Sequence, residues 1–134
     1  MKSITAFFLF VFSLTGCTYD AGDKVLADQL VYLCHQSISN NDMETLMKLY
    51  DPSFFKDQPK AVWAAYWADI YKRLGHLQEI RPGFSQKDAR FRGDYYIYGY
   101  TLVFERGIAR ETITVFKGIE QDEVAIAGHS VRLD

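Results

Sequence analysis

After Gly75 the hydrophobic period of this chain changes from 3.6 residues to 2, and it does not change back. That single switch dictates helices first and strands second, which excludes the alternating order of a parallel α/β sheet. Before it, Asp23 to Ser39 carries Leu26, Leu30, Leu33, Cys34 and Ile38 at helical spacing. Ser39-Asn40-Asn41-Asp42 ends it and caps the next segment, Met43 to Tyr50, which repeats the pattern on a shorter scale. Asp51-Pro52 stops that segment, because a residue before proline is pushed out of helical geometry. Pro59 opens a third helix that runs to about Leu74, with Trp63, Tyr66, Trp67, Ile70, Tyr71 and Leu74 on one face. Lys72 and Arg73 favour its C-terminal dipole, and Gly75 stands where a C-cap belongs.

After Gly75, His76 to Arg81 reads as a strand ended by Pro82-Gly83. Tyr95 to Glu105, YYIYGYTLVFE, is the strongest strand pattern in the chain. Tyr96, Tyr98, Tyr100, Leu102 and Phe104 share one face, and the other is also largely apolar. This strand is therefore central, or its tyrosine face lines a cleft. Arg110 to Lys117 and Glu123 to Leu133 complete the set, with Gly128 a candidate bulge. Short connections make consecutive strands antiparallel. The fold class expected is α+β: two to three N-terminal helices packed on a curved antiparallel sheet of about four strands.

The 134 residues suit one domain. Its expected extent is residues 23–134, after a separate N-terminal segment. Met1-Lys2-Ser3 is a cationic start, and Ile4 to Phe12 an apolar run about half as long as a bilayer span needs. Leu14-Thr15-Gly16-Cys17 closes it. These four residues resemble the lipobox of bacterial lipoproteins. The resemblance implies a signal peptide over 1–16, cleavage before Cys17, and a diacylglyceryl group on the Cys17 sulfur with N-acylation of the new amine. Residues 17–22 then serve as lipidated N-terminus and tether. One acyl chain holds a protein marginally, and two or three hold it stably. Thr18 stands where an Asp would mark inner-membrane retention, so the resemblance points to the outer membrane facing the periplasm, with the outer face of the cytoplasmic membrane as the alternative. Lipidation of Cys17 leaves Cys34 without a disulfide partner, and its helical stripe favours a buried small hydrophobe over a reactive thiol.

The third helix ending YKRLGHL, the strand YYIYGYTLVFE, and the pair ARETITVFKG and EVAIAGHSVRL resemble the nuclear transport factor 2-like and cystatin-like superfamily. That resemblance implies helices lying in the concave face of a curved sheet, and in some members an isomerase or dehydratase site inside the cone. Candidate pocket residues are Trp63, Tyr66, Trp67, Tyr96, Tyr98 and Tyr100. For catalysis the candidates are Tyr66, Asp69, Tyr96, Tyr98, Tyr100 and His129, weighed against tyrosines that merely bury their rings and an Asp69 on a solvated face. No family motif assigns a catalytic role to any of them. His35, His76 and His129 lack the spacing of a metal pair, and no nucleophile, phosphate or dinucleotide motif is present. Glu105, Arg106, Arg110 and Glu111 read as a solvated ion-pair set at a hairpin, or as a partner-binding rim. A net charge of −2 offers no field to hold nucleic acid. The expectation is a membrane-anchored, non-catalytic binding or accessory module of the envelope, with no cofactor beyond its lipid. Its partners would be the membrane and an envelope protein. The alternative is a small-ligand binder or an enzyme using the cone.

Overall fold

The computed structural model describes residues 21–134. Cys17 and the lipobox lie outside the described residues. The architecture is α+β: α1 (Ala21–Ser39), α2 (Met43–Met47), α3 (Phe54–Asp57) and α4 (Lys60–Leu74), then β1 (Leu77–Arg90), β2 (Gly93–Phe104), β3 (Gly107–Gly118) and β4 (Val124–Leu133). The strands form one antiparallel sheet in sequence order. One core joins helices and sheet, with Trp63, Trp67 and Ile70 of α4 and Ala27, Leu30, Val31, Cys34 and Ile38 of α1 against Tyr96, Leu102, Ile113, Val115 and Ile126.

Four local expectations change. The buried stripe of α1 runs through Ala27, Leu30, Val31, Cys34 and Ile38, while Leu26 and Leu33 face solvent. Helix α2 is shorter than its pattern, because Leu49 to Asp51 leaves it to pair with Ile126 of β4. The segment before Pro59 holds one extra helical turn, α3. Most of all, β1 does not stop at Pro82-Gly83 but runs on to Arg90. Proline is tolerated there because β1 is an edge strand, and a register shift between Pro82 and Phe84 absorbs Gly83. The exposed flank of this long edge carries Glu79, Arg81, Lys87, Asp88 and Arg90, charges that discourage pairing with another chain.

Gly75 sets the angle at which α4 hands over to the sheet. It closes α4 at φ 82°, and an added Cβ would run into the carboxylate of Glu105. Gly75→Ala is therefore expected to cost about 1–3 kcal/mol, read as a lowered urea midpoint with an unchanged m-value.

Candidate functional site

The chemistry-bearing groups of this domain converge inside the core. On β3 the alternation Ala109, Glu111, Ile113, Val115 puts all four side chains toward the helices. Glu111 is 2% exposed, so it does not belong to the solvated hairpin set expected for it. Its supposed companions stay outside: Arg110 reaches Asp134 at 3.0 Å, and Arg106 lies 3.7 Å from Glu105.

His129 reaches the same interior from β4 through a bulge. Thr114 pairs with Gly128 and Val115 with Ile126, so Ala127 is the extra residue. The slip lets Ile126, His129 and Val131 all face inward despite their uneven spacing. His129 stands opposite Ile113 and diagonal to Glu111, and its Nε2 lies 2.7 Å from Oε1 of Glu111. From α1, Nε2 of His35 lies 2.7 Å from Oε2 of the same carboxylate. The pairing of Leu49 and Asp51 with Ile126 sets Tyr50, whose Oη is 2.6 Å from Nδ1 of His129. Nε1 of Trp63 donates to that oxygen at 2.9 Å.

One proton arrangement satisfies the whole chain. Trp63 can only donate, so Tyr50 Oη accepts from it and turns its own hydrogen toward Nδ1 of His129. Nε2 of His129 then carries its proton and donates to Glu111. His35 donates to the other carboxylate oxygen. Glu111 is thus an ionised acceptor fed from both sides. Burial is the largest influence on it and pushes its carboxyl up, but the hydrogen bonds from His129 and His35 outweigh burial and hold it at about 2.

Cys34 completes the cluster. Its sulfur, a Glu111 oxygen and a His129 ring nitrogen all lie within 4.8 Å of one another, a combination of ligand atoms that sequence spacing did not reveal. The trio can hold a metal only if the 2.7 Å His129–Glu111 contact opens, because two light-atom ligands on a tetrahedral zinc stand about 3.3 Å apart. Nor is Cys34 arranged as a nucleophile. Burial first, and then the Glu111 charge, push its thiol well up, and both nitrogens of His129 are already committed.

The expected pocket residues fall into two sets. Trp63 stacks on Tyr66 and meets Trp67 edge-on, with ring centroids 5.6 and 5.8 Å apart, and both tryptophans pack on His129. Tyr66 spends its hydroxyl on the carbonyl of Val131. Trp67 is fully buried, with no hydrogen-bond partner for Nε1 among the described residues. Together these rings fill the space between α4 and the sheet. On β2, Tyr98 stacks on Tyr100 with centroids 6.4 Å apart and donates to Asp28 of α1 at 2.6 Å. Tyr96 and Tyr98 line a cavity of about 240 Å³ with Lys24, Ser85, Gln86 and Lys87. Asp69 is exposed and pairs with Arg73 at 3.1 Å, outside both sets. Sequence reasoning did not bring Glu111, His35 and Tyr50 together: it set Glu111 at a solvated hairpin, weighed His35 as a metal ligand and placed Tyr50 in the second helix. For Glu111 a signal was present: it shares strand parity with Ile113 and Val115.

No family model matches this chain, and no curated protein or solved structure is significantly similar to it.

Proposed function

We propose that this protein is a lipid-anchored lipoprotein of the bacterial envelope, held through Cys17 at the outer membrane and facing the periplasm, that works as a non-catalytic binding or accessory module. The superfamily suggested is the nuclear transport factor 2-like and cystatin-like one, with its cone filled. The observation that carries the non-catalytic part is the satisfied interior. Both oxygens of Glu111 and both nitrogens of His129 are bonded within the protein, and Trp63 and Trp67 occupy the space a substrate would need. The side chains of Glu111 and His129 are fully shielded from solvent, and a general base that no substrate can reach has nothing to act on. The anchoring part rests on Leu14-Thr15-Gly16-Cys17.

A second reading, small-ligand binding, draws on the cavity beside Tyr96 and Tyr98. Its volume of about 240 Å³ lies below the roughly 300 Å³ at which ligand pockets begin.

Cys17→Ser in the full chain tests the anchor. The thiol is the acylated atom, so labelled fatty acid should be lost completely and the uncleaved precursor should accumulate. A Cys17→Ser protein that is still cut and still labelled would remove the anchor from this reading.

A further inference from the structure

The end of the sheet where β1 turns into β2 and β3 leaves toward β4 carries two bare apolar side chains. Phe91 is 96% exposed and Ile119 76%. The two turns are tied together, since the amide of Ile119 donates to the carbonyl of Arg92 at 3.1 Å, and Gly93 pairs with Gly118 just behind them. With Phe116 they line one shallow depression. Single apolar residues scattered on a surface need no explanation, but here two separate turns bring theirs to one tip.

The described chain begins at this same end. Oδ1 of Asp23, in the first turn of α1, lies 4.0 Å from Nζ of Lys117, and Lys117 occupies the rung next to Gly118. Cys17 precedes Ala21 by only four residues, which even fully extended reach about 14 Å. A lipid on Cys17 therefore keeps the Phe91–Ile119 end, and not the opposite Glu105–Arg106 hairpin, close to the headgroups. Charge does not drive this contact. Arg90 is spent on Asp88 at 2.8 Å, Lys87 lies 3.2 Å from Asp94, and the exposed Arg92 beside Phe91 is outnumbered by Glu120, Asp122 and Glu123, which follow Ile119 closely.

We infer that the Phe91–Ile119 tip seats in the interfacial layer of the bilayer that carries the anchor. The contact is apolar and independent of anionic lipid. It rests on the lipoprotein reading above. An acyl anchor supplies the proximity and the tip supplies orientation, so the domain stands with these two turns down and the Glu105–Arg106 hairpin presented away from the membrane.

The test uses the full lipidated chain carrying Phe91→Trp, reconstituted in phosphatidylcholine vesicles with brominated acyl chains. Exposure at position 91 makes the substitution harmless to the fold, and the native Trp63 and Trp67 are buried. Relative to the wild type, the added emission should be mostly lost to bromolipid, spared by aqueous acrylamide, and unchanged by raised salt. Ile119→Trp should behave alike. Mass spectrometry of Cys17 is run on the same sample. Lipid on Cys17, with an introduced indole that acrylamide quenches and bromolipid does not, overturns the seating and leaves the anchor standing. An introduced indole shielded from both quenchers overturns it in favour of a second copy of the chain covering the tip. An unmodified Cys17 removes the anchor and the seating together.

Discussion

Glu111→Ala should lower the unfolding free energy by about 3–5 kcal/mol at pH 7, the range for breaking a buried charge network by removing one partner. The loss is not that of one contact. His35 and His129 both donate to this carboxylate from buried positions, and the chain runs on from His129 through Tyr50 to Trp63. Alanine leaves two orphaned donors and a cavity. Glu111→Gln keeps the shape and should cost about 1–3 kcal/mol, since its amide offers a hydrogen where a ring nitrogen already donates unless that ring changes tautomer. The ionised carboxylate also gives this contribution a pH window. The native group is held at about 2 against an ordinary value of 4.5. A depressed native value means the unfolded chain takes up the proton first, so stability falls as pH falls. The contribution is complete above about pH 4.5, worth about 3 kcal/mol by linkage, and gone below about pH 2. The groups that face the carboxylate are His35 and Cys34 from α1, His129 from β4 and, through His129, Tyr50; Tyr100 of β2 meets the His35 ring at 4.6 Å. Urea titrations of wild type and Glu111→Gln at pH 7 and pH 3 should show the gap between them shrinking in acid. A constant gap would mean that the carboxylate is not the ionised acceptor the geometry requires.

Trp67→Ala should cost a similar amount, about 3–5 kcal/mol, by leaving a large cavity between α4 and the sheet. Trp67 is fully buried and touches Trp63, Tyr71 and His129 with its ring. Trp67→Phe is the informative companion. It keeps most of the ring and removes an indole N–H that has no acceptor among the described residues. Its expected cost is under about 1.5 kcal/mol, because the cavity is small and the orphaned donor disappears with it. If the two substitutions proved equally harmful, Nε1 would have a partner that matters.

These two side chains sit on opposite sides of what could be read in advance. Trp67 was legible: the stripe Trp63, Trp67, Ile70 at helical spacing is a property of neighbours in the chain, as are the Asp42 cap and the Gly75 stop. So was the order of helices and strands. Where such reading slipped, a tertiary neighbour was the cause. Pro82 ended a strand on local rules, and edge position let the strand continue. Leu26 and Leu33 matched the period of α1 as well as Ala27 and Val31 did, and only the docking angle of that helix chose between them.

The sequence by itself determined the layers of this domain and the helical stripe of α4, because each depends on residues a few positions apart. Only the tertiary structure decided that Glu111 is a buried anion held by His35, 76 positions away, and by His129, 18 away, with Tyr50 closing the chain 79 positions from His129. It likewise brought Phe91 and Ile119 to one tip beside the start of α1. Strand parity with Ile113 and Val115 hinted that Glu111 faces inward, but its flanks, Arg110 and Thr112, gave no sign of the partners that hold it. Those come from a one-residue bulge in β4 and a helix laid across the sheet, and both exist only once the chain has closed.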